Sequence, residues 1–314
     1  MSASTDNSLA MVFPGQGSQS LGMLAELSAE YAVVGDTFNE ASEVLGYDLW
    51  KLTQDGPAED LNQTDRTQPA MLAAGVSVWR VWQSHNGAMP SIMAGHRLGE
   101  YSALVCAGAL GFTDAIALVA ERGRCMQSAV PAGVGAMAAL LGLADDTVAD
   151  VCARAANDDV VEPVNFNSPG QVVIAGNTAA VERAITLAKE AGAKRAVMLP
   201  VSVPSHCALM QTAAEQFALT LADTVINAPV VPVVQNVDAA MHEQPEAIRE
   251  NLARQICMPV LWVSSVQNMQ AQGVTRMLEM GPGKVLTGLC KRIDKTIDNS
   301  AVFDPASLAA ALAG

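Results

Sequence analysis

The chain has 314 residues, of which 50% are hydrophobic and only 4% aromatic, and its net charge is −14. That length can bury one large core or two linked ones, while the acidic balance argues against nucleic acid, whose phosphates require a basic face. No apolar run reaches the ~20 residues of a membrane span, and the opening MSASTDNS lacks the charged and apolar regions of a signal peptide, so a cytoplasmic protein is expected.

Leu9–Phe13 reads as a strand ending at the turn Pro14-Gly15-Gln16-Gly17-Ser18, the place beyond a strand's carboxyl end where open α/β sheets collect ligands. Amphipathic helical stretches fill most of residues 20–85, broken around Asp55-Gly56-Pro57. The apolar run Ser91–Ala94 suits a buried strand, and Leu98–Ala107 a helix stopped by Gly108. A long helix follows from Thr113, taken as its N-cap, to about Val130. Residues 133–203 then change rhythm: strand Ala136–Leu141, helix Asp145–Ala156, strands Val160–Phe166 and Gln171–Ala175 around Asn167-Ser168-Pro169-Gly170, helix Ala179–Ala191, strand Arg195–Pro200. That order is βαββαβ, a ferredoxin-like unit closed on itself. The fold class expected is therefore α/β. A parallel-sheet large domain (1–131 and 205–314) carries an inserted ferredoxin-like subdomain (132–204). Helices near 206–223 and 246–256 flank a strand at Val230–Val234, and Thr275–Met280 precedes Gly281-Pro282-Gly283 and another helix.

The six cysteines form no C-x-x-C pair and the four histidines show no zinc spacing, so reduced thiols and no metal are expected. Gly281-Pro282-Gly283-Lys284 is not a phosphate loop, since no serine or threonine follows the lysine. The basic groups Lys284, Lys291, Arg292, Lys295 and Lys189, Lys194, Arg195 read as solvated surface charge, or as a patch where an acidic partner docks.

Gly95-His96-Arg97-Leu98-Gly99 has the frame of a nucleophile elbow, G-x-S-x-G, with arginine in the nucleophile's place. A guanidinium is a permanent cation with several donors and no acceptor, so it cannot attack a thioester. A long side chain on so tight a turn is expected to distort it. The rest of an acyl-transfer site has candidates. His206, in Val203-Pro204-Ser205-His206, suits a general base, although alone it also reads as an ordinary structural histidine. His96 reads as a packing neighbour pointing away from position 97. The backbone N–H of Leu98 is an oxyanion donor by elbow geometry, and Gly15-Gln16-Gly17 brings a second backbone close. Arg122, inside an apolar helix pattern, needs an anion: a substrate carboxylate, or a salt bridge to Glu121, Glu100 or another acid.

Taken together these segments resemble the malonyl-CoA:acyl-carrier-protein transacylases of bacterial fatty-acid synthesis. The stretches that carry the resemblance are Phe13–Gln19, Thr67-Gln68-Pro69-Ala70, Gly95-His96-x-Leu98-Gly99-Glu100-Tyr101 and Glu121-Arg122-Gly123. It continues through Val164–Gln171, Val203–His206 and Glu279–Gly283, and so spans nearly the whole chain. The resemblance implies a hydrolase-like α/β domain with a ferredoxin-like insertion. It also implies malonyl-CoA and phosphopantetheinyl acyl carrier protein as substrates, no resident cofactor, and a monomer. By position it makes Gln16 and Leu98 the oxyanion donors and His206 the base, oriented by the backbone or side chain of Gln255. Arg122 becomes the carboxylate clamp, with Gln68 lining the pocket.

Arg97 stands where the family has its serine, so this chain is expected to form no acyl-enzyme. A single substitution in an otherwise intact enzyme fits the survival of every other site residue. A non-catalytic protein that binds carrier protein or acyl-CoA, or a weak thioester hydrolase in which His206 activates water, are the alternatives.

Overall fold

The computed structural model describes residues 4–131, 133–201 and 203–314. Residues 1–3 and the expected boundary residue Ala132 lie outside the described residues. The strands are β1 (Thr5–Phe13), β2 (Met89–Gly95), β3 (Gly135–Leu141), β4 (Val161–Ser168), β5 (Gln171–Asn177), β6 (Arg195–Met198), β7 (Val233–Val234), β8 (Arg276–Met280) and β9 (Asp298–Val302).

Five of them form a parallel sheet in the order β7-β2-β1-β8-β9. Strands in such a sheet are buried on both faces, which is why β1 ends in a run of apolar residues rather than in polar alternation. Its side chains still alternate between two cores. Leu9, Met11 and Phe13 pack into a cluster with the helices Thr64–Ser84 and Phe112–Ser128, while Ala10 and Val12 pack with Trp262 and Leu286 on the other face. Each Leu, Met or Phe fully buried here contributes about 1.5–3 kcal/mol.

The remaining four strands form an antiparallel sheet in the order β4-β5-β3-β6. With the helices Asp145–Ala156 and Thr178–Glu190 on one face, this is the βαββαβ arrangement with its own apolar cluster around Val148, Val151, Ile174 and Val181. The two sheets are joined where Phe166 N donates to the Val260 carbonyl and Val260 N to the Val164 carbonyl, so the edge strand β4 is tied to the large sheet's flank. The overall class, α/β with a parallel large sheet and a separate small antiparallel one, is the one expected.

Several local readings are corrected. The helix carrying Arg122 starts at Phe112 with Gly111 as its N-cap, two residues before Thr113, because Gly111 takes the extended conformation there (φ −67°, ψ 142°). The strand read at Val230–Val234 shrinks to two residues, since Pro232 has no N–H to give a ladder. Helices Trp262–Ala271 and Pro305–Ala313 and strand β9 were not anticipated from the sequence.

Register places the site. In the β1–β2 ladder Phe13 lies opposite Gly95, so the chain leaves both strands at the same level. The Gly15-Gln16 turn and the 95–99 elbow therefore stand side by side. Glycine is required at two of these points: a Cβ on Gly15 would strike the His96 carbonyl, and one on Gly99 the Phe13 carbonyl.

Candidate active site

The elbow forms with arginine in it. Arg97 has φ +58°, a left-handed conformation that costs a non-glycine residue about 1–2 kcal/mol. The expected distortion of the turn does not occur. Gly99 N bonds the His96 carbonyl at 3.0 Å, Glu100 N the Arg97 carbonyl at 3.2 Å, and Tyr101 N the Leu98 carbonyl at 3.0 Å. An external clamp holds the strained residue. Asn236 accepts from Arg97 N at 2.7 Å and donates its amide to the Gly95 carbonyl at 2.6 Å, bracing the turn from both sides.

Arg97 reaches across to His206. Its Nε donates to His206 Nε2 at 3.1 Å, and His206 Nδ1 lies 2.7 Å from the Gln255 carbonyl. A carbonyl only accepts, so Nδ1 carries the proton and Nε2 presents a lone pair, which Arg97 occupies. His206 is almost wholly buried. Burial, then the Arg97 and Arg122 cations, hold its pKa well below the usual histidine value, so the ring is neutral near pH 7. Arg97 is itself pulled down to about 10 by burial and by Arg122, and so remains charged.

Gln255 joins the parts. Its side-chain amide donates to the Arg97 carbonyl at 3.0 Å and to Glu100 at 2.9 Å, while its Oε1 accepts from Arg122 at 2.9 Å. Arg122 is 2% exposed and bonds Gln68 Oε1 at 2.9 Å and Met126 Sδ at 3.1 Å. It makes no ion pair with Glu121, which pairs with Arg124 at 2.7 Å, nor with Glu100. Two of the readings left open for Arg122 are thereby removed. Its Nε has no partner.

Glu100 is buried, and that burial raises its pKa to about 7 against the pull of the Asn236 N–H, the Gln255 and Gln235 amides and the Arg122 cation. His96 is buried and turns to the small sheet: its Nε2 meets Asn167 at 2.8 Å and its ring packs edge-on against Trp262, while burial depresses its pKa to about 3. The N–H groups of Gln16 and Leu98 make no hydrogen bond among the described residues.

The structure thus brings Arg97, His206, Gln255, Arg122 and Gln68 into one chain of contacts. Gln16 and His96 line a cleft beside Arg97, and His96 makes no hydrogen bond to that chain. The elbow clamp Asn236 and the acid's partner Gln235 were missed. The available signal was their place just past β7, the strand paired with the elbow strand β2, at the carboxyl end of a parallel sheet.

The sequence matches the acyl transferase domain family over residues 10–309. A malonyl CoA-acyl carrier protein transacylase of Escherichia coli O157:H7 is 60% identical over 303 residues, covering 96% of this chain and 98% of that protein. The chain belongs to the malonyl-CoA:acyl-carrier-protein transacylase family. Among solved structures, an acyl carrier protein S-malonyltransferase from Vibrio cholerae superposes with a TM-score of 0.95 at 63% identity, covering 96% of this chain and 99% of that one. A malonyl-transacylase solved in complex with its type II PKS acyl-carrier protein superposes with a TM-score of 0.97 at 57% identity, covering 98% and 99%.

Proposed function

We propose that this chain is a malonyl-CoA:acyl-carrier-protein transacylase scaffold in which Arg97 holds the nucleophile's place and stops transfer. The observation that carries this reading is the 3.1 Å bond from Arg97 Nε to His206 Nε2. Transfer through a covalent intermediate needs an oxygen at position 97 whose proton passes to that lone pair as the oxygen attacks the thioester carbonyl. The N–H groups of Gln16 and Leu98 then receive the developing oxyanion, and the protonated histidine returns its proton to the departing thiolate. Arg122, held by Gln68 and Gln255, takes the free carboxylate of the malonyl group and is left a buried, unmatched cation when an acetyl group enters.

With arginine at position 97 there is no attacking atom, and the base is capped. The hydrolase alternative draws no support from this site, because water activation needs the same lone pair. Residues 1–131 and 205–314 are assigned to the catalytic body and 132–204 to the insert, supported by their separate sheets and apolar clusters. The reading is of a monomer acting in the cytoplasm; no helix among the described residues is long and apolar enough to cross a membrane. The test is transfer itself. Arg97→Ser should load malonyl groups onto acyl carrier protein while the unaltered chain does not; equal rates in the two would overturn the reading.

A further inference from the structure

Arg97 and Arg122 have no carboxylate within 4.0 Å among the described residues, so neither cation of this site is held in a contact ion pair. Both are anchored through one residue. Arg122 bonds the Gln255 side chain, and Arg97 reaches the Gln255 carbonyl through His206. Arg97 spends only its Nε on this; its terminal NH2 groups bond nothing among the described residues. Arg97 belongs to the wall of a cleft of about 230 Å³ lined by residues of both sheets.

Within a chain of net charge −14, Arg97 is the only charged residue lining that cleft among the described residues, and none of those lining it is an acid. Its walls also offer donors in want of an acceptor. Asn165, 1% exposed, has an unpartnered amide nitrogen, and the N–H groups of Gln16 and Leu98 are free close by. A buried donor without a partner costs about 1–3 kcal/mol, so the Asn165 amide favours whatever brings an acceptor into the cleft. The volume matches about seven or eight liquid waters, which suits a small organic anion and is too little for a whole coenzyme.

We infer that this cleft binds a free small dicarboxylate, without covalent chemistry. One carboxylate rests on the terminal NH2 groups of Arg97, and the second cation, Arg122, favours a dianion over a monoanion. The inference rests on the reading above that Arg97 holds the nucleophile's place in the acyl-transfer site.

The test is calorimetric titration of the full chain with sodium malonate and with sodium acetate at equal ionic strength. Malonate should bind at least tenfold more tightly than acetate. Arg97→Gln should weaken malonate at least tenfold, and Arg97→Lys should retain the preference for the dianion. Malonate, unlike acetate, should also raise the melting temperature of the unaltered chain, which keeps the test independent of whether a variant folds. Equal affinities for the two salts, or undiminished malonate binding in Arg97→Gln, would overturn the inference. Intact masses of the same protein after malonyl-CoA separate the two claims. A malonyl adduct beside tight malonate binding sinks the stopped-transfer reading alone; no adduct and no malonate binding sinks the dicarboxylate site alone.

Discussion

Arg97 and His206 are joined nitrogen to nitrogen, with the guanidinium Nε donating into the ring's only lone pair at 3.1 Å. On the function proposed above, the position that should supply a nucleophile instead occupies the base. Two defects, absence of an attacking atom and occupation of the proton acceptor, arise from one residue, so one replacement should remove both.

Arg97→Ser is therefore expected to raise malonyl transfer by roughly 10⁴-fold or more, towards the order of 10⁶ associated with a nucleophile in a comparable serine site. Steady-state transfer to acyl carrier protein measures it. The same change replaces a long side chain at φ +58° with a short one, so no loss of melting temperature is expected.

In the Arg97→Ser protein, Arg122→Ala should lower kcat/KM for malonyl-CoA by about 30- to 1000-fold, the equivalent of about 2–4 kcal/mol for truncating one partner of a buried charge pair. Acetyl-CoA, which has no carboxylate to lose, should be spared. Competition between the two thioesters reports the change directly.

The pH dependence of stability divides by sign. His96, held at about 3, and His206, held well below the usual value, refuse protons that the unfolded chain accepts below about pH 6.5. Each therefore costs up to about 1.4 kcal/mol per pH unit as the pH falls below that point. Glu100, raised to about 7 when folded, acts the other way: its contribution is present at low pH and is lost as the pH rises from about 4.5 to 7. Urea midpoints from pH 4 to 8 should show that Glu100→Gln removes the loss between pH 4.5 and 7 and leaves the acid limb in place.

Asn236→Ala should cost about 2–4 kcal/mol, because it leaves the Gly95 carbonyl and the Arg97 N–H without partners and releases a strained turn. A urea midpoint measures this, and the Arg97→Ser/Asn236→Ala pair should lose turnover as the turn relaxes.

Much of this was legible in the residues. Apolar runs bounded by glycine and proline located β1, β2 and all four strands of the small sheet, since buried strands and tight turns each impose their own composition. The partners of the site were less legible. Asn236 and Gln235 follow a strand of two residues, too short to leave a pattern, and reach the elbow only because β7 pairs with β2. Likewise, no spacing could reveal that Arg122 would rest on amides and a thioether rather than on Glu100 or Glu121. That choice is made when the helices Thr64–Ser84 and Phe112–Ser128 close on each other at Gly123, where a Cβ would collide with the backbone of Asp65.

The central claim is that Arg97 both vacates the nucleophile's place and caps His206. The most direct measurement is intact-protein mass after brief exposure to malonyl-CoA, run on the unaltered chain beside Arg97→Ser. The account predicts an unchanged mass for the first and one added malonyl group for the second. A malonyl adduct on the unaltered chain, or none on Arg97→Ser, would contradict it.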